Sequence, residues 1–316
     1  MKFKFVVLST SQFGIDSANA ILDSGHEISV IISMPKKFLP DNSANIKQYA
    51  KQKKILYYEF LDINSPNLIK ILTKIGPDYI FTSWPKIIGK VILDIPKFFC
   101  IGTHPTALPF NRGRHPLHWI IDLGIHETKL SFFELDEGFD TGNILLQYPV
   151  QVGNEDTIVN INSIVNLAAY EGTKILCKKL ISEHGPSKLK QNHEMANYWR
   201  MRTPHDVTID LRMPASSIIK LVRSFTLPYP CANLIFNKYV IKIKKVKIVK
   251  TEKSPLDIQR LEPGRIISVE YDKIIVKAGD NIIELFSTNP MPKEIKIAKY
   301  IHPPSKYIMQ YDIDSL

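Results

Sequence analysis

The sequence predicts an α/β protein in two parts: a Rossmann-like parallel sheet wrapped by helices, then a small C-terminal β-barrel of OB-like type. Three observations predict it. The first third of the chain alternates short β-branched runs with helix-like segments, the pattern of βαβ units around a parallel sheet. After a polar break the chain turns to short strands punctuated by Pro-Gly and Gly-Asp turns, as small barrels and sandwiches do. A length of 316 residues with 44% hydrophobic content supplies material for two cores. The expected divisions are 1–187 for the first domain, 188–204 for a linker, 205–300 for the barrel and 301–316 for a tail.

In chain order, Lys4 to Leu8 is an apolar run closed by Ser9-Thr10. Its apolar part is too short for a signal-peptide core and lacks a small-residue cleavage site, so it reads as a first strand. Asp16 to Leu22 is helical in pattern, Gly25-His26 marks a stop, and Ile28 to Ile32 is a second strand. Ala44 to Lys53 reads as a helix, Ile55 to Tyr58 as a strand, and Leu68 to Ile75 as a helix closed by Gly76-Pro77. Tyr79 to Thr82 and Phe98 to Thr103 are further strands. Ligands of such sheets sit outside the carboxyl ends of the strands. That rule makes Ser9, Thr10, Ser83, Trp84 and Gly102 to His104 candidate site positions before any motif is considered. A long helix is expected over Asn160 to Glu183, then a linker from His184 to Asn197, then a helix over Ser216 to Ser224. The barrel strands are Asn233–Phe236, Tyr239–Val249, Arg265–Val269, Lys273–Val276 and Ile282–Phe286.

No apolar stretch approaches the roughly 20 residues that span a bilayer, so a soluble, cytoplasmic protein without a membrane partner is expected. Cys100, Cys177 and Cys231 lie far apart and have no metal-ligand spacing, which suits a reducing compartment. The net charge of +10 fits an anionic substrate, a nucleic acid, or simply scattered lysines. Roughly +6 of it falls after residue 204. Lys242 to Lys250 alternates Lys with Ile or Val, a half-buried strand with one basic face that serves as a solvated edge or an RNA contact.

Two stretches carry chemistry. In Ile101-Gly-Thr-His-Pro-Thr-Ala-Leu-Pro-Phe-Asn-Arg-Gly-Arg-His-Pro116, a strand delivers His104 to the edge of the sheet and two prolines halt regular structure. In Glu134-Leu-Asp-Glu-Gly-Phe-Asp-Thr-Gly142, acids and glycines form a tight loop between apolar strands. A histidine beside a carboxylate suits general acid–base chemistry. The nine histidines form no ligand set, and His115 and His118 read as an exposed helix face, so no metal is expected.

Together, His-Pro-Thr-x-Leu-Pro-x-x-Arg-Gly-Arg and the later Asp-Glu-Gly-x-Asp-Thr-Gly closely resemble the motifs of the folate-dependent formyltransferase family. Lys4-Phe-Val-Val-Leu-Ser-Thr with Gly25-His26-Glu27, Pro77-Asp78-Tyr79-Ile80, and Arg202-Thr-Pro-x-Asp206 with Ile209-Asp210 and Pro228-x-Pro230 extend the resemblance over most of the chain. The resemblance implies formyl transfer from 10-formyltetrahydrofolate to a primary amine in a homodimer. It assigns His104 to the formyl carbon and Asp140 to the acid that orients and ionises that histidine. Ser83, Trp84, Pro85, Leu108, Asp136 and Gly138 are expected to receive the folate. Ser9, Thr10, Thr103 and Arg114 are expected on the acceptor side, Arg114 as a holder of a nucleotide sugar.

One departure is serious. The family carries an Asn two residues before the histidine as an oxyanion donor, and here that position is Gly102. Losing such a donor costs about 10²–10³-fold in rate, so Gly102→Asn is expected to raise the rate if nothing else fills the gap. Ser83 and Asn111 are the candidate substitutes. A non-catalytic folate or sugar-nucleotide binding protein is the alternative that Gly102 raises.

The family's tRNA branch has a longer basic insertion after the second strand. Here Ser33 to Ser43 is short, with Pro35, Pro40, Asp41 and only Lys36-Lys37. With Arg114, this favours an amino-sugar nucleotide of surface-polysaccharide synthesis. Initiator methionyl-tRNA is the alternative, favoured by the basic second half, and nucleic acid is a partner only in that case.

Overall fold

The computed structural model describes residues 1–39, 43–182, 186–250 and 255–308. Pro40 and Asp41, the start of the expected linker at His184-Gly185, and the end of the expected tail lie outside the described residues. The chain divides into two compact units. The first comprises Met1–Pro116, Glu127–Val152 and Asn162–Arg200; the second comprises Leu117–His126, Gly153–Ile161 and Met201–Leu316.

The elements of the first unit begin with β1 (Lys4–Ser9), α1 (Gln12–Asp23), β2 (Glu27–Ser33), α2 (Ile46–Lys53) and β3 (Leu56–Glu59). They continue with α3 (Pro66–Ile75), β4 (Tyr79–Ser83), α4 (Lys90–Leu93), β5 (Phe99–His104) and the short β6 (Arg112–Gly113). In chain order helix α5 (Pro116–Leu123) follows, from Leu117 on a part of the second unit. Then come β7 (Glu127–Glu134), β8 (Ile144–Gln151), α6 (Ile158–Ile181), whose first residues up to Ile161 also belong to the second unit, and β9 (Tyr198–Trp199).

β1, β2 and β4 are β-branched or aromatic and almost wholly buried, as strands covered on both faces must be. Helix α3 shows how the boundaries are written: Pro66 occupies the first turn, where its missing N–H costs nothing, and Gly76 ends the helix at φ 55°. The seven strands run in the order β3-β2-β1-β4-β5-β7-β8. The first five are mutually parallel, while β7 and β8 are antiparallel to their neighbours. The sequence reading expected a parallel sheet and treated β7 and β8 only as apolar flanks of a loop. Their connection is too short for the dozen or more residues that a parallel crossover needs, so a hairpin is the available solution.

The second unit holds α7 (Ala215–Phe225), β10 (Ala232–Phe236), β11 (Tyr239–Ile248), α8 (Pro255–Gln259), β12 (Ile266–Val269), β13 (Lys273–Lys277), β14 (Ile282–Ser287) and α9 (Ser305–Ile308). Its strands form an antiparallel sheet in the order β10-β11-β14-β13-β12. Ile218, Leu221 and Val222 turn one stripe of α7 into a core with Leu234, Ile243 and Leu285. Arg202 is buried there, 2.9 Å from Asp122 and with its guanidinium over the rings of Trp119 and Phe225. His118 is not an exposed surface group: its Nδ1 lies 2.6 Å from the Ser224 carbonyl and its ring stacks on Phe225.

Candidate active site

Strand order in the first unit reverses between β1 and β4, and a doubly wound sheet opens its binding crevice at such a reversal. Ser9 and Ser83 end those two strands in register, with their hydroxyls 2.7 Å apart. Gly14, at the start of α1, lets the helix approach them: a Cβ there would stand 1.9 Å from the Ser9 hydroxyl. His104 ends β5, two strands along the same edge.

The imidazole is almost wholly enclosed and the Asp140 carboxylate partly so, with side-chain exposures of 6% and 21%. His104 Nε2 lies 2.8 Å from the Asn111 carbonyl, and Nδ1 lies 3.6 Å from Asp140 Oδ2. A carbonyl can only accept, so Nε2 carries the hydrogen. Nδ1, facing the carboxylate, is therefore the nitrogen free to gain or lose a proton. Asp140 adopts φ 56°, the left-handed region that Asp tolerates better than most residues. Its Oδ2 accepts the Gly113 N–H at 3.0 Å.

The loop carrying Asn111 is held from below. Pro105 and Pro109 deny it helix, and the Ser131 hydroxyl donates to the Thr106 carbonyl at 2.6 Å and accepts from the Leu108 N–H. Gln147 donates to the Leu108 carbonyl at 2.9 Å. The Asp140 loop closes on itself through Asp136, whose Oδ1 accepts from the Gly138 N–H and the Thr141 hydroxyl. At Gly142 a Cβ would stand 1.7 Å from the Glu134 carbonyl, so only glycine fits.

A third segment, unrecognised in the sequence, reaches this site. β9 pairs in parallel with β6, and the Asn111 N–H donates to Asn197 Oδ1 at 2.8 Å. Arg112 is 1% exposed, its guanidinium donating to Gln191 Oε1 and the Tyr198 hydroxyl. Gln191 in turn donates to the backbone of the Asp140 loop. A polar residue in a polar stretch carries no periodic or motif signal, so nothing in the sequence singled out Gln191 or Asn197.

The structure brings His104, Asp140, Ser9 and Ser83 to one edge of the sheet. Thr10 follows β1 and is half-buried, as is Thr103 within β5. Trp84 is half-buried, and its Nε1 is buried with no partner among the described residues. Pro85 is exposed, and its carbonyl accepts from Arg114 Nη1 at 3.3 Å. Leu108, 3% exposed, packs with Phe133, Ile144 and Leu135 in a small apolar cluster. Gly102 abuts that cluster: a Cβ there would meet Leu135 Cδ2 at 2.7 Å and Phe133 Cζ at 2.9 Å. The expected gain from Gly102→Asn therefore finds no room, because apolar side chains fill the space that an amide needs. Among the described residues no three His, Cys, Asp or Glu side chains group as metal ligands.

Comparison with known proteins identifies the family of the chain. The formyl transferase family matches residues 1–176, and the family's C-terminal domain matches residues 202–302. The chain belongs to the formyl transferase family and is a formyltransferase. It is 29% identical to methionyl-tRNA formyltransferase of Alkaliphilus oremlandii over 89% of this chain and 90% of that one. With the enzyme of the same name from Clostridioides difficile it shares 29% identity over 94% of this chain and 96% of the other. Among solved structures it resembles WlaRD, a sugar 3N-formyltransferase with dTDP and 5-N-formyl-THF (TM-score 0.67, 17% identity, 92% of this chain and all of that one). It also resembles a Helicobacter canadensis N-formyltransferase in complex with folinic acid and dTDP-3-aminofucose (TM-score 0.64, 17% identity, 91% and 99% covered). Methionyl-tRNA formyltransferase from Clostridium thermocellum superposes with a TM-score of 0.57 at 20% identity, over 91% of this chain and 100% of that one.

Proposed function

We propose that this enzyme moves a formyl group from 10-formyltetrahydrofolate to the primary amine of an amino-sugar nucleotide. The observation that carries the choice of amine is the short connection between β2 and α2: it holds a 3₁₀ turn at Lys36–Phe38 and only a few basic residues. The resemblance to the family implies a longer basic insertion there in its tRNA branch. Arg114, exposed and tethered to the Pro85 carbonyl beside Ser83 and Trp84, suits an anionic sugar nucleotide. The folate side fits the residues present. Trp84 Nε1 is a buried donor without an acceptor among the described residues, and the loop from Asp136 to Gly142 closes on itself through Asp136.

In this reading the amine attacks the formyl carbon, a new N–C bond forms, and the bond to the folate nitrogen breaks. The amine proton passes to His104 Nδ1 and from there to the departing nitrogen. The Nε2–H bond to the Asn111 carbonyl keeps the ring in place throughout, and Asp140 stabilises its charged form.

A second reading has its own support: methionyl-tRNA formyltransferases are similar over nearly the whole chain. Transfer from 10-formyltetrahydrofolate is therefore assayed against a panel of amino-sugar nucleotides that includes dTDP-3-aminofucose and, separately, against methionyl initiator tRNA. Product on a sugar nucleotide alone is the expected result. Product on tRNA alone overturns the choice of amine and keeps the chemistry, whereas folate binding without either product favours a binding protein.

A further inference from the structure

The two family matches leave residues 177–201 uncovered, and the polar run inside that gap reads in the sequence as a spacer. Its side chains bond the backbone of Asp140 and, on the other side, Asn111, whose carbonyl holds His104. Gln191 is 3% exposed. Its Oε1 accepts from Arg112 Nη2 at 2.6 Å and Nε at 3.2 Å, and a guanidinium only donates, so that end of the amide is oxygen. Its Nε2 therefore faces the other way, donating to the Asp140 carbonyl at 2.9 Å and the Gly142 carbonyl at 2.6 Å. These carbonyls bracket the left-handed turn that aims Asp140 at His104.

Asn197 does the same on the other side. Its Oδ1 accepts the Asn111 N–H at 2.8 Å, which turns its Nδ2 toward Asn111 Oδ1 at 2.9 Å. Asn111, itself at φ 62°, is the residue whose carbonyl holds His104 Nε2. Leu189 and Ile144 exchange backbone hydrogen bonds at 2.8 and 2.9 Å, and β9 pairs with β6, so the segment is tied at both ends.

We propose that residues 189–199 form a positioning strap for the catalytic pair, in which Gln191 sets Asp140 and Asn197 sets His104. This rests on the reading of His104 and Asp140 as the reacting groups. Asp140 and Asn111, the residue that holds His104, both stand on loops in left-handed conformations, and the 3.6 Å gap between His104 and Asp140 has no direct hydrogen bond to maintain it. A displacement of 1 Å at such a pair is enough to cost about 10²-fold.

The test compares Gln191→Glu, Gln191→Leu and Asn197→Ala in formyl transfer from 10-formyltetrahydrofolate to whichever of dTDP-3-aminofucose and methionyl initiator tRNA the wild type accepts. Gln191→Glu is the informative variant, because it keeps the acceptor for Arg112 while turning the two donations to the Asp140 loop into contacts between oxygens, which a carboxylate cannot satisfy. Each variant is expected to lose about 10- to 100-fold in kcat with little change in the KM for formylfolate. In an Asp140→Asn background, Gln191→Glu is expected to add no further loss, since its effect travels through Asp140. The strap is overturned if Gln191→Glu keeps kcat within about twofold of wild type, or if its loss is as large in the Asp140→Asn background. Gln191→Glu carries the test if Gln191→Leu fails to fold. A wild type that transfers to neither amine removes the reacting pair and the strap together, whereas a wild type that transfers and an unaffected Gln191→Glu removes the strap alone.

Discussion

At the scale of single residues, His104 and Asp140 are held by backbone: one by the Asn111 carbonyl, the other by the Gly113 N–H. His104 is enclosed but belongs to no apolar cluster among the described residues, and Asp140 is partly exposed, so replacing either should cost chemistry and leave the fold intact. His104→Ala and Asp140→Asn are each expected to lower kcat by at least about 10²-fold with the thermal midpoint nearly unchanged. Full turnover in either variant would show that this pair is not the reacting one. Gly102→Asn has the opposite character. Leu135 and Phe133 occupy the volume that the new side chain needs, so the variant should lose about 1–3 kcal/mol of stability and gain no rate. Differential scanning calorimetry beside a transfer assay checks both halves, and a faster enzyme would mean that Leu135 can swing aside.

At the scale of elements, the N-terminal edge of the sheet carries a pH dependence unrelated to the site. His26, 4% exposed, lies with its ring 5.4 and 5.5 Å from those of Phe3 and Phe5, and its Nδ1 accepts the Phe3 N–H. Burial holds this imidazole below its ordinary value near 6.5. The unfolded chain therefore binds a proton that the native state resists, so stability falls as pH drops below about 6.5 toward the lowered native value. Gln at this position can still accept the Phe3 N–H but does not titrate. His26→Gln is therefore expected to flatten the loss of thermal midpoint between pH 7.5 and 5.5; an unchanged slope would place the acid sensitivity elsewhere. Periodicity and punctuation made most elements legible: Gly76 stops α3 where the sequence says it should, and Ser9 and Ser83 mark strand ends that become neighbours. The antiparallel β7 and β8 were not legible, because the apolar runs flanking the Glu134–Gly142 loop were not assigned as strands, and β5 and β7 pair antiparallel although the segment joining them is long enough to hold α5. Gln191 and Asn197 were not legible either, since their meaning lies in partners that are distant in sequence.

At the scale of the whole molecule, the excess of positive charge bears on the choice of amine. β11 lies between β10 and β14, but Lys245 and Lys247 sit where it extends past β10 and pairs with β14 alone, and both are exposed, as a phosphate-binding strand or a locally solvated edge requires. A polyanion releases counterions from every phosphate it exchanges, so tRNA transfer would weaken steeply with salt, whereas a sugar nucleotide touches few cations. For the proposed substrate, kcat/KM is expected to fall only a few-fold between 50 and 200 mM salt, and Lys245→Glu with Lys247→Glu should leave it unchanged. A fall of several decades, or loss of activity in the double variant, would point to nucleic acid.

The pairing of β6 with β9 has a consequence for the life of the chain. His104 and Asp140 are synthesised long before Asn197 and Trp199, with the whole of α6 made in between. A nascent chain that has already folded its parallel strands still lacks the segment proposed to set His104 and Asp140. On that proposal catalytic competence arrives late in translation, and a ribosome that stalls within α6 is expected to release a product with the two motifs but without activity.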